Sequence, residues 1–561
     1  MLWPVTFIGV VILAVTGYFL FVSNQKEAAS ERKMLVVLPF KNLGPPEQAY
    51  FAAGMTEEIT SRLAAVTGLG VISRTSAARY DRTGKTIKEI ANDFGVEYVL
   101  DGTVRWNRSA DGDNKVRITP QLIAVSDDTQ LWSERYVRMI DDIFAVQSEI
   151  AAQVVQKLGV TLLADAQQII EAKPTENLEA YDYYLRGKAS WARSDIKKDT
   201  EIAVQMYEKA VELDPNFAVA YAELSRTRSW LWQMSKQRHL VVKAKQAADR
   251  ARQLAPDLAE THFALGYYYY YGTREFDKAL EQLRIVARRQ PNNAQAIETI
   301  GYILRRQGKW EEGLAQLEKA VELDPVGYDR LKGLGIIHLY MRHYTQAERY
   351  LDRAIFVAPD IPTAYIYKVQ LYLSWHGSTE RAEQVLEDAA GRIDRETLDA
   401  ELWALGRVLV RSDTLGYYLD KAEAHYFMKQ KELAAQSADS ARIILQTKLE
   451  EQPESEVWHQ WLGWAYAYQG RHEDAIREAM KAVELVPVSK DASTGCRMLQ
   501  SLALLYTVVG EHDAAIEQLA YLLTIPSLIS VPRLKFQPEW EPLRQHPRFK
   551  RLLEKHGGES R

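Results

Sequence analysis

AQAIETIGYILRRQGKWEEGLAQLEKAVELDP, residues 294–325, is the stretch that decides the fold of this chain. Apolar residues recur three and four apart on either side of a Gly-Lys break, the spacing of two amphipathic helices joined by a short turn. Gly301 stands where the two helices approach most closely, and Gly308 ends the first of them. Gly313, Leu317 and Ala320 line the packing face of the second helix, and Pro325 closes the unit. The next copy keeps the register with Gly335, Ala347, Leu351, Ala354 and Pro359, so that Pro291, Pro325 and Pro359 fall 34 residues apart in succession. Pro453 and Pro487 repeat the interval, with Gly463, Gly470, Ala475, Ala479 and Ala482 between them.

A helix–turn–helix of 34 residues with small residues at fixed places is the signature of the tetratricopeptide repeat, or TPR. Small side chains let antiparallel helices close up, and stacking one unit on the next buries a continuous core. Weaker copies occupy 181–215 (Ala203, Tyr207, Ala210, Pro215), 218–256 (Ala251, Pro256) and 259–291 (Gly266, Ala279, Leu283). Two irregular copies fill 361–450 and a last one spans 493–526. The pattern predicts an all-α superhelical solenoid of eight or nine repeats over 179–526, closed by a C-terminal cap at 527–561.

Such a stack presents a groove lined by the first helices of its units. Mapped on the repeat, the groove positions are Phe263, Tyr267 and Tyr270; Glu298, Tyr302 and Arg305; Lys332, Ile336 and Leu339; and Gln460 with Trp464. Aromatic rings beside a cation can hold an extended peptide or a partner helix, so protein partners are expected there. The competing reading is that these rings pack within and between repeats, and the run of five tyrosines at 267–271 must point several ways at once. The Lys and Asn set of chaperone-binding TPRs is missing from these positions.

Upstream the pattern changes. MLVVLPF (34–40) and LGVISR (69–74) read as short buried strands, and EYVLDGTVRWN (97–107), KVRITPQLIAV (115–125) and QLWSERYVR (130–138) as a run of three more. Phe51, Met55, Ile59 and Leu63 fall four apart, giving a helix over 47–66. TIKEIANDFGV (86–96) is a helix ended by Gly95, and a last helix runs from Asp142 to Leu163. The order β-α-β-α-β-β-β-α predicts a small mixed α/β domain at 34–163, with 164–178 as a linker broken by Pro174.

The segments VVLPFKNLGPPEQAYFAAGMTEEITSRLAAVTGLGVISRTSAARY, IANDFGVEYVLDGTVRW, VRITPQLIAV, LWSERYVR and DIFAVQSEIA together resemble the TolB-like N-terminal domain. Bacterial membrane-anchored signalling proteins often place that domain before TPRs. The resemblance implies an interaction or sensing module without known catalysis, and a transmembrane helix ahead of it. In such proteins a DNA-binding or class III cyclase domain often lies across the membrane. No such output domain is read in this sequence.

Residues 2–22 (LWPVTFIGVVILAVTGYFLFV) carry no charge, and as a helix they would rise about 31 Å, close to a bilayer's hydrocarbon thickness. A secretory signal would have a basic start and a small-residue cleavage site, and here only Ala28-Ala29-Ser30 offers one. The fold class expected is therefore multidomain: a transmembrane anchor at 1–24, the α/β domain, then the solenoid. Lys26, Arg32 and Lys33 follow the anchor and favour a cytoplasmic body, whereas the family layout implies a single-pass inner-membrane protein with a periplasmic body.

The remaining chemistry is sparse. A net charge of −5 without a basic stripe argues against nucleic acid as a partner. One cysteine, Cys496, excludes disulfide frameworks and multi-thiolate zinc sites. DRTGKT (81–86) ends like a phosphate-binding loop but has Arg79 where the first glycine belongs, and DGDN (111–114) has Leu122 where a calcium loop needs an acid. His472-Glu473 has Ile476 in place of a second zinc ligand. No catalytic, cofactor or metal set is expected, and the oligomeric state is not encoded legibly. The expected function is an interaction scaffold or sensor subunit of the bacterial envelope. The alternative is an accessory to a separate adenylate cyclase or transcriptional regulator.

Overall fold

The computed structural model describes residues 32–80, 82–108, 114–139, 142–191, 197–393 and 414–557. Among the described residues no helix is long and apolar enough to cross a membrane. This corrects the expected fold class: the architecture of the described residues is a mixed α/β domain followed by a mostly helical solenoid, with no membrane-spanning helix among them. The segment 2–22, on which that expectation rested, lies outside the described residues.

The sheet joins β1 (Lys33–Val37), β2 (Lys41–Asn42), β3 (Leu69–Val71), β4 (Tyr98–Arg108), β5 (Asn114–Ala124), β6 (Thr129–Ser133) and β7 (Tyr136–Met139). Its order is β3-β1-β4-β5-β6, with β2 also on β4 and β7 also on β5. β1 runs parallel to β3 and β4, and Leu35, Val36 and Val37 are all fully buried, as an apolar run in a covered parallel strand should be. β4 and β5 pair antiparallel in unbroken register from Tyr98↔Ala124 to Arg108↔Asn114. Where sequence reading expects one last strand, the structure breaks it between Ser133 and Tyr136 into two pieces, both on β5.

Helix α1 (Ala49–Ala64) buries the expected stripe of Phe51, Met55, Ile59 and Leu63 against the sheet core. Two short helices follow, α2 (Arg74–Arg79) and α3 (Ile87–Phe94). The second starts on a reciprocal Thr86–Glu89 capping box and ends at Gly95, whose φ of 65° suits a residue without Cβ. α4 (Ile143–Lys157) completes the layer. The segment read as a linker instead carries α5 (Ala164–Glu171), with Ile170 buried. Arg62 explains its order: the guanidinium donates to the carbonyls of Ile170 and Ala172, satisfying the end of α5 with a charge-assisted bond.

The solenoid follows as nine helix pairs among the described residues: α6 (Leu178–Trp191) with α7 (Lys197–Leu213), α8 (Ala218–Ser235) with α9 (Arg238–Leu254), α10 (Ala259–Tyr267) with α11 (Phe276–Arg289), α12 (Ala294–Arg306) with α13 (Trp310–Leu323), α14 (Tyr328–Tyr340) with α15 (Tyr344–Val357), α16 (Pro362–Trp375) with α17 (Thr379–Ala390), α18 (Thr414–Phe427) with α19 (Lys431–Glu451), α20 (Glu456–Tyr468) with α21 (His472–Leu485), and α22 (Ala492–Val509) with α23 (His512–Thr524). After α10 the tyrosine run continues as a π-helical turn, Tyr268–Thr273. α24 (Val531–Phe536), a 3₁₀ turn and α25 (Pro547–His556) finish the chain, with Trp540 and Phe549 sealed in the core.

The chain divides into two compact units: one ends at Ile297 and includes Glu322–Pro325, and the other comprises Glu298–Val321 and everything from Val326 onward. In the first, a single hydrophobic cluster runs from the sheet through α1 and α4 into α6, α7 and α8, joining Leu35 and Leu100 to Tyr184, Tyr207 and Phe217. Asn292, ahead of α12, donates its amide to the carbonyls of Val66 (3.3 Å) and Leu69, just beyond the end of α1. In the second, the C-terminal repeats fold back on the middle ones. Arg306 pairs with Asp491 at 2.5 Å, and Arg342 donates to the carbonyls of Leu522, Ile525 and Ile529 at 3.1–3.2 Å. Ser527 N–H reaches the Tyr340 carbonyl at 3.1 Å, and Ser530 Oγ the Ser374 carbonyl at 2.6 Å.

Candidate functional site

The groove positions divide by burial. Phe263, Tyr267 and Tyr270, expected at the groove, are core residues in the structure, each about 5% exposed or less. Arg226 on α8 covers two of them, its guanidinium lying 4.2 Å from the centre of the Phe263 ring and 5.1 Å from that of Tyr267, while Tyr270 packs against Tyr271 and Phe276. Arg226 pairs with Glu223 at 2.6 Å and donates to Gln295 at 3.0 Å, and Gln295 in turn bonds the Tyr267 hydroxyl. A second buried ionic cluster lies nearby in the same unit. Lys188 on α6 meets Glu58 at 2.9 Å and Glu57 at 3.2 Å on α1, and Arg74 also pairs with Glu57. Burial raises the Glu57 pKa, but Arg74 and Lys188 outweigh it and hold the carboxyl below the usual range. This side of the first repeats is therefore engaged by the chain's own α/β domain.

In the second unit Ile336 and Leu339 are buried among apolar neighbours, and Leu528 from the returning C-terminal segment packs against both of their clusters. Gln460 and Trp464 are buried as well, and the Trp464 indole donates to Ser501 at 3.0 Å, a contact between successive repeats. For these residues the packing reading describes what the structure shows.

Glu298, Tyr302, Arg305 and Lys332 form a different kind of group. The Tyr302 hydroxyl donates to Glu298 at 2.7 Å and lies 3.0 Å from the Asp329 carbonyl. Lys332 pairs with Asp329 at 2.6 Å. Glu298 is buried, and burial pushes its carboxyl up to about 7 against the opposing field of Arg330. Arg305 is half-buried beside the Tyr302 ring, 5.3 Å from its centre, and makes no ion pair or hydrogen bond among the described residues. The structure thus brings Tyr302, Arg305 and Lys332 together on two consecutive first helices, α12 and α14, as half-buried polar side chains. Their mutual spacing was legible from the repeat register. The raised pKa of Glu298 was not, because it depends on burial.

Elsewhere, Lys85 of the DRTGKT segment is held by Asp93 (2.9 Å) and the Tyr80 hydroxyl (2.8 Å), with its side chain turned back on its own domain. The DGDN turn falls largely outside the described residues. Among the described residues no three His, Cys, Asp or Glu side chains converge as a metal-binding group.

Comparison with known proteins agrees with the helical part. A family model described as tetratricopeptide repeat matches residues 263–328 and 332–396, and a second of the same description matches 195–217 and 459–488. A protein of Rhizobium meliloti (strain 1021), named provisionally as adenylate cyclase 3, is 40% identical over 192 residues, 34% of this chain and 32% of that protein. BBSome complex member BBS4 of Bos taurus is 26% identical over 216 residues, 38% of each chain. The chain thus spans about a third of the length of these relatives. Among solved structures, TTC0263, a thermophilic TPR protein of Thermus thermophilus, is 18% identical with a TM-score of 0.30, covering 35% of this chain and 99% of that one. From the matched repeats and the helix pairs that realise them, the chain carries tetratricopeptide repeats.

Proposed function

We propose that this chain is a protein-interaction scaffold whose α12–α14 face takes an acidic partner segment, with Arg305 as the charged contact. The observation that carries the reading is the state of Arg305: a half-buried cation, positioned against Tyr302, with no carboxylate of its own chain among the described residues. Arg is well suited to hold a carboxylate by two parallel bonds, and a ring beside it adds apolar contact. The nearby Glu298 does not compete fully, because burial keeps much of it protonated near neutral pH.

A photo-crosslinking residue in place of Lys332, compared with one at exposed Glu311 on α13, tests this in cells. A partner captured from position 332 and not from 311, and lost when Arg305→Glu is added, is the expected result. Equal capture from both positions, or capture indifferent to Arg305→Glu, overturns it.

A second reading rests on the likeness to the Rhizobium meliloti protein and on the resemblance of the α/β domain to TolB-like domains. In it the chain is an accessory to a separate adenylate cyclase, with the α/β domain as a second contact surface. Cyclic AMP production by that cyclase with and without this chain is the assay. No change in rate retires the accessory reading, and cyclic AMP made by this chain alone retires the scaffold reading as well.

A further inference from the structure

The turn from α14 to α15 carries two histidines in contact. Helix α14 ends in a Schellman cap: Arg342 takes the left-handed conformation at φ 61°, its N–H reaches the Leu339 carbonyl at 3.1 Å, and the His343 N–H reaches the His338 carbonyl at 2.8 Å. This cap brings together the side chains at 338 and 343, a pair that is commonly apolar. Here both are imidazoles, with Nδ1 3.3 Å from Nδ1, and neither ring has another hydrogen-bond partner among the described residues. The α18–α19 turn has the same cap, and there His425 meets the Gln430 amide oxygen at 2.6 Å.

The two pairs differ in what a proton does to them. A His–Gln pair keeps its bond when the ring is protonated, since Nδ1–H donates to the amide oxygen. A His–His pair tolerates one added proton, with one ring donating and the other accepting. A second makes both Nδ1 atoms donors and sets two cations against each other. No carboxylate pairs with either ring among the described residues. On α15, Glu348 is taken up by the Tyr372 hydroxyl and Asp352 by Lys368 of α16, each at 2.5 Å. On α14, Asp329 pairs with Lys332 at the far end, and Glu311 and Glu312 at the start of α13 are exposed. Arg349 and Arg353 on α15, Arg533 on α24, and His376 just past α16 add only positive charge, and His556 of α25 lines the same cavity as His343. Tyr350 lies parallel to the His338 ring at 5.6 Å, and the one charge that acts on His338 is that of His343.

The same turn is a fastening point. Arg342, between the two histidines, donates to the carbonyls of Leu522, Ile525 and Ile529, and the Ser527 N–H reaches the Tyr340 carbonyl. The fastened segment 522–530, LLTIPSLIS, carries no acidic or basic side chain, and its Leu528 packs over the clusters of Ile336 and Leu339.

We propose that the His338–His343 pair is an acid-sensitive latch, whose second added proton opens the α14–α15 turn, loosens the Arg342 hold on 522–529 and uncovers Ile336 and Leu339. This latch does not depend on the Arg305 face. Burial, with His343 beside it, pushes the His338 ring from 6.5 down to about 4 while the turn is closed. A ring released to solvent regains its ordinary value, so the open form binds the proton more tightly. Closure is therefore complete above the ordinary value and is lost as pH falls toward the lowered one.

Hydrogen–deuterium exchange of the full chain at about pH 7 and about pH 4.5, corrected for intrinsic exchange rates, tests the latch. At the acid pH, protection in 522–530 should fall by up to roughly fiftyfold, while the α18–α19 turn keeps its protection. His343→Gln, at an exposed position, recreates the pairing of the α18–α19 turn and should cut the acid effect at least fivefold. His338→Gln removes the buried ring and should abolish it, and His343→Gln decides the matter where His338→Gln fails to fold. Equal protection of 522–530 at both pH values overturns the proposal. So does a loss spread evenly over the repeats, or an acid response that His343→Gln leaves unchanged.

Discussion

Replacing Glu298 by glutamine tests the electrostatics of the α12–α14 face directly. The amide keeps an oxygen for the Tyr302 hydroxyl, now 2.7 Å from the carboxylate, and removes only the ability to ionise. Burial raises the Glu298 carboxyl from 4.5 to about 7 in the folded chain. Between these values the unfolded chain is ionised and the folded one holds its proton, so stability falls as pH rises, and the full penalty is present above the folded pKa. At ~1.4 kcal/mol per tenfold in proton affinity the penalty approaches ~3 kcal/mol. Urea unfolding of wild type and Glu298→Gln at about pH 5, 6, 7 and 8 measures it as a difference, which cancels titrations common to both chains. The two should nearly coincide at the acid end, and the variant should lead by ~2–3 kcal/mol at the alkaline end. A difference that is flat with pH refutes the raised carboxyl. A wild type that gains on the variant as pH rises shows instead that Arg330 holds Glu298 ionised.

Other perturbations address the packing. Gly301→Ala would place a Cβ 2.9 Å from Leu317 Cγ and 3.0 Å from the Gly313 carbonyl oxygen, so it should cost ~1–3 kcal/mol, read as a lower Tm. Arg342→Met removes the donor to three carbonyls and should destabilise by ~2–3 kcal/mol, with faster amide hydrogen exchange concentrated in residues 522–530. Asn292→Ala leaves the carbonyls beyond α1 without their amide donor, and ~1–2 kcal/mol should be lost, with protease cleavage appearing first around residues 64–70.

The helical fold was legible because its cause is periodic. Close approach of two helices needs a small residue at the crossing, and the need recurs with every unit, so Gly301 against Leu317 and Gly335 against Leu351 stand one repeat apart in the sequence. The α/β strands were legible for a related reason: β1 is buried on both faces and reads as an unbroken apolar run. The closures between distant segments were not legible. Each rests on one side chain meeting backbone carbonyls, as Arg62 does at α5, Asn292 beyond α1 and Arg342 at 522–529. A backbone carbonyl has no residue type, so such a bond leaves no pattern at its acceptor end. The same blindness made a linker of 164–178, whose helix is held from outside by Arg62.

Several of the candidate groove residues are buried, and the cause is not visible in the repeat register. Repeat register gives the direction a side chain takes from its helix, and it says nothing of what the rest of the chain puts there. In the first unit Arg226 covers Phe263 and Tyr267, and in the second Leu528 packs over the clusters of Ile336 and Leu339. A TPR face already covered by its own chain gains nothing from a partner unless that cover is first removed, which would expose apolar area at about 25 cal/mol for each Å². A partner gains most where the chain has left a charge unanswered, since its carboxylate then replaces solvent and displaces no internal contact. Arg305 meets that condition on the α12–α14 face, whereas Arg226 and Lys188, equally well placed on first helices, are each already paired with carboxylates of the chain itself. On the proposed reading, partner choice in this solenoid would follow from which cations its own fold has not used.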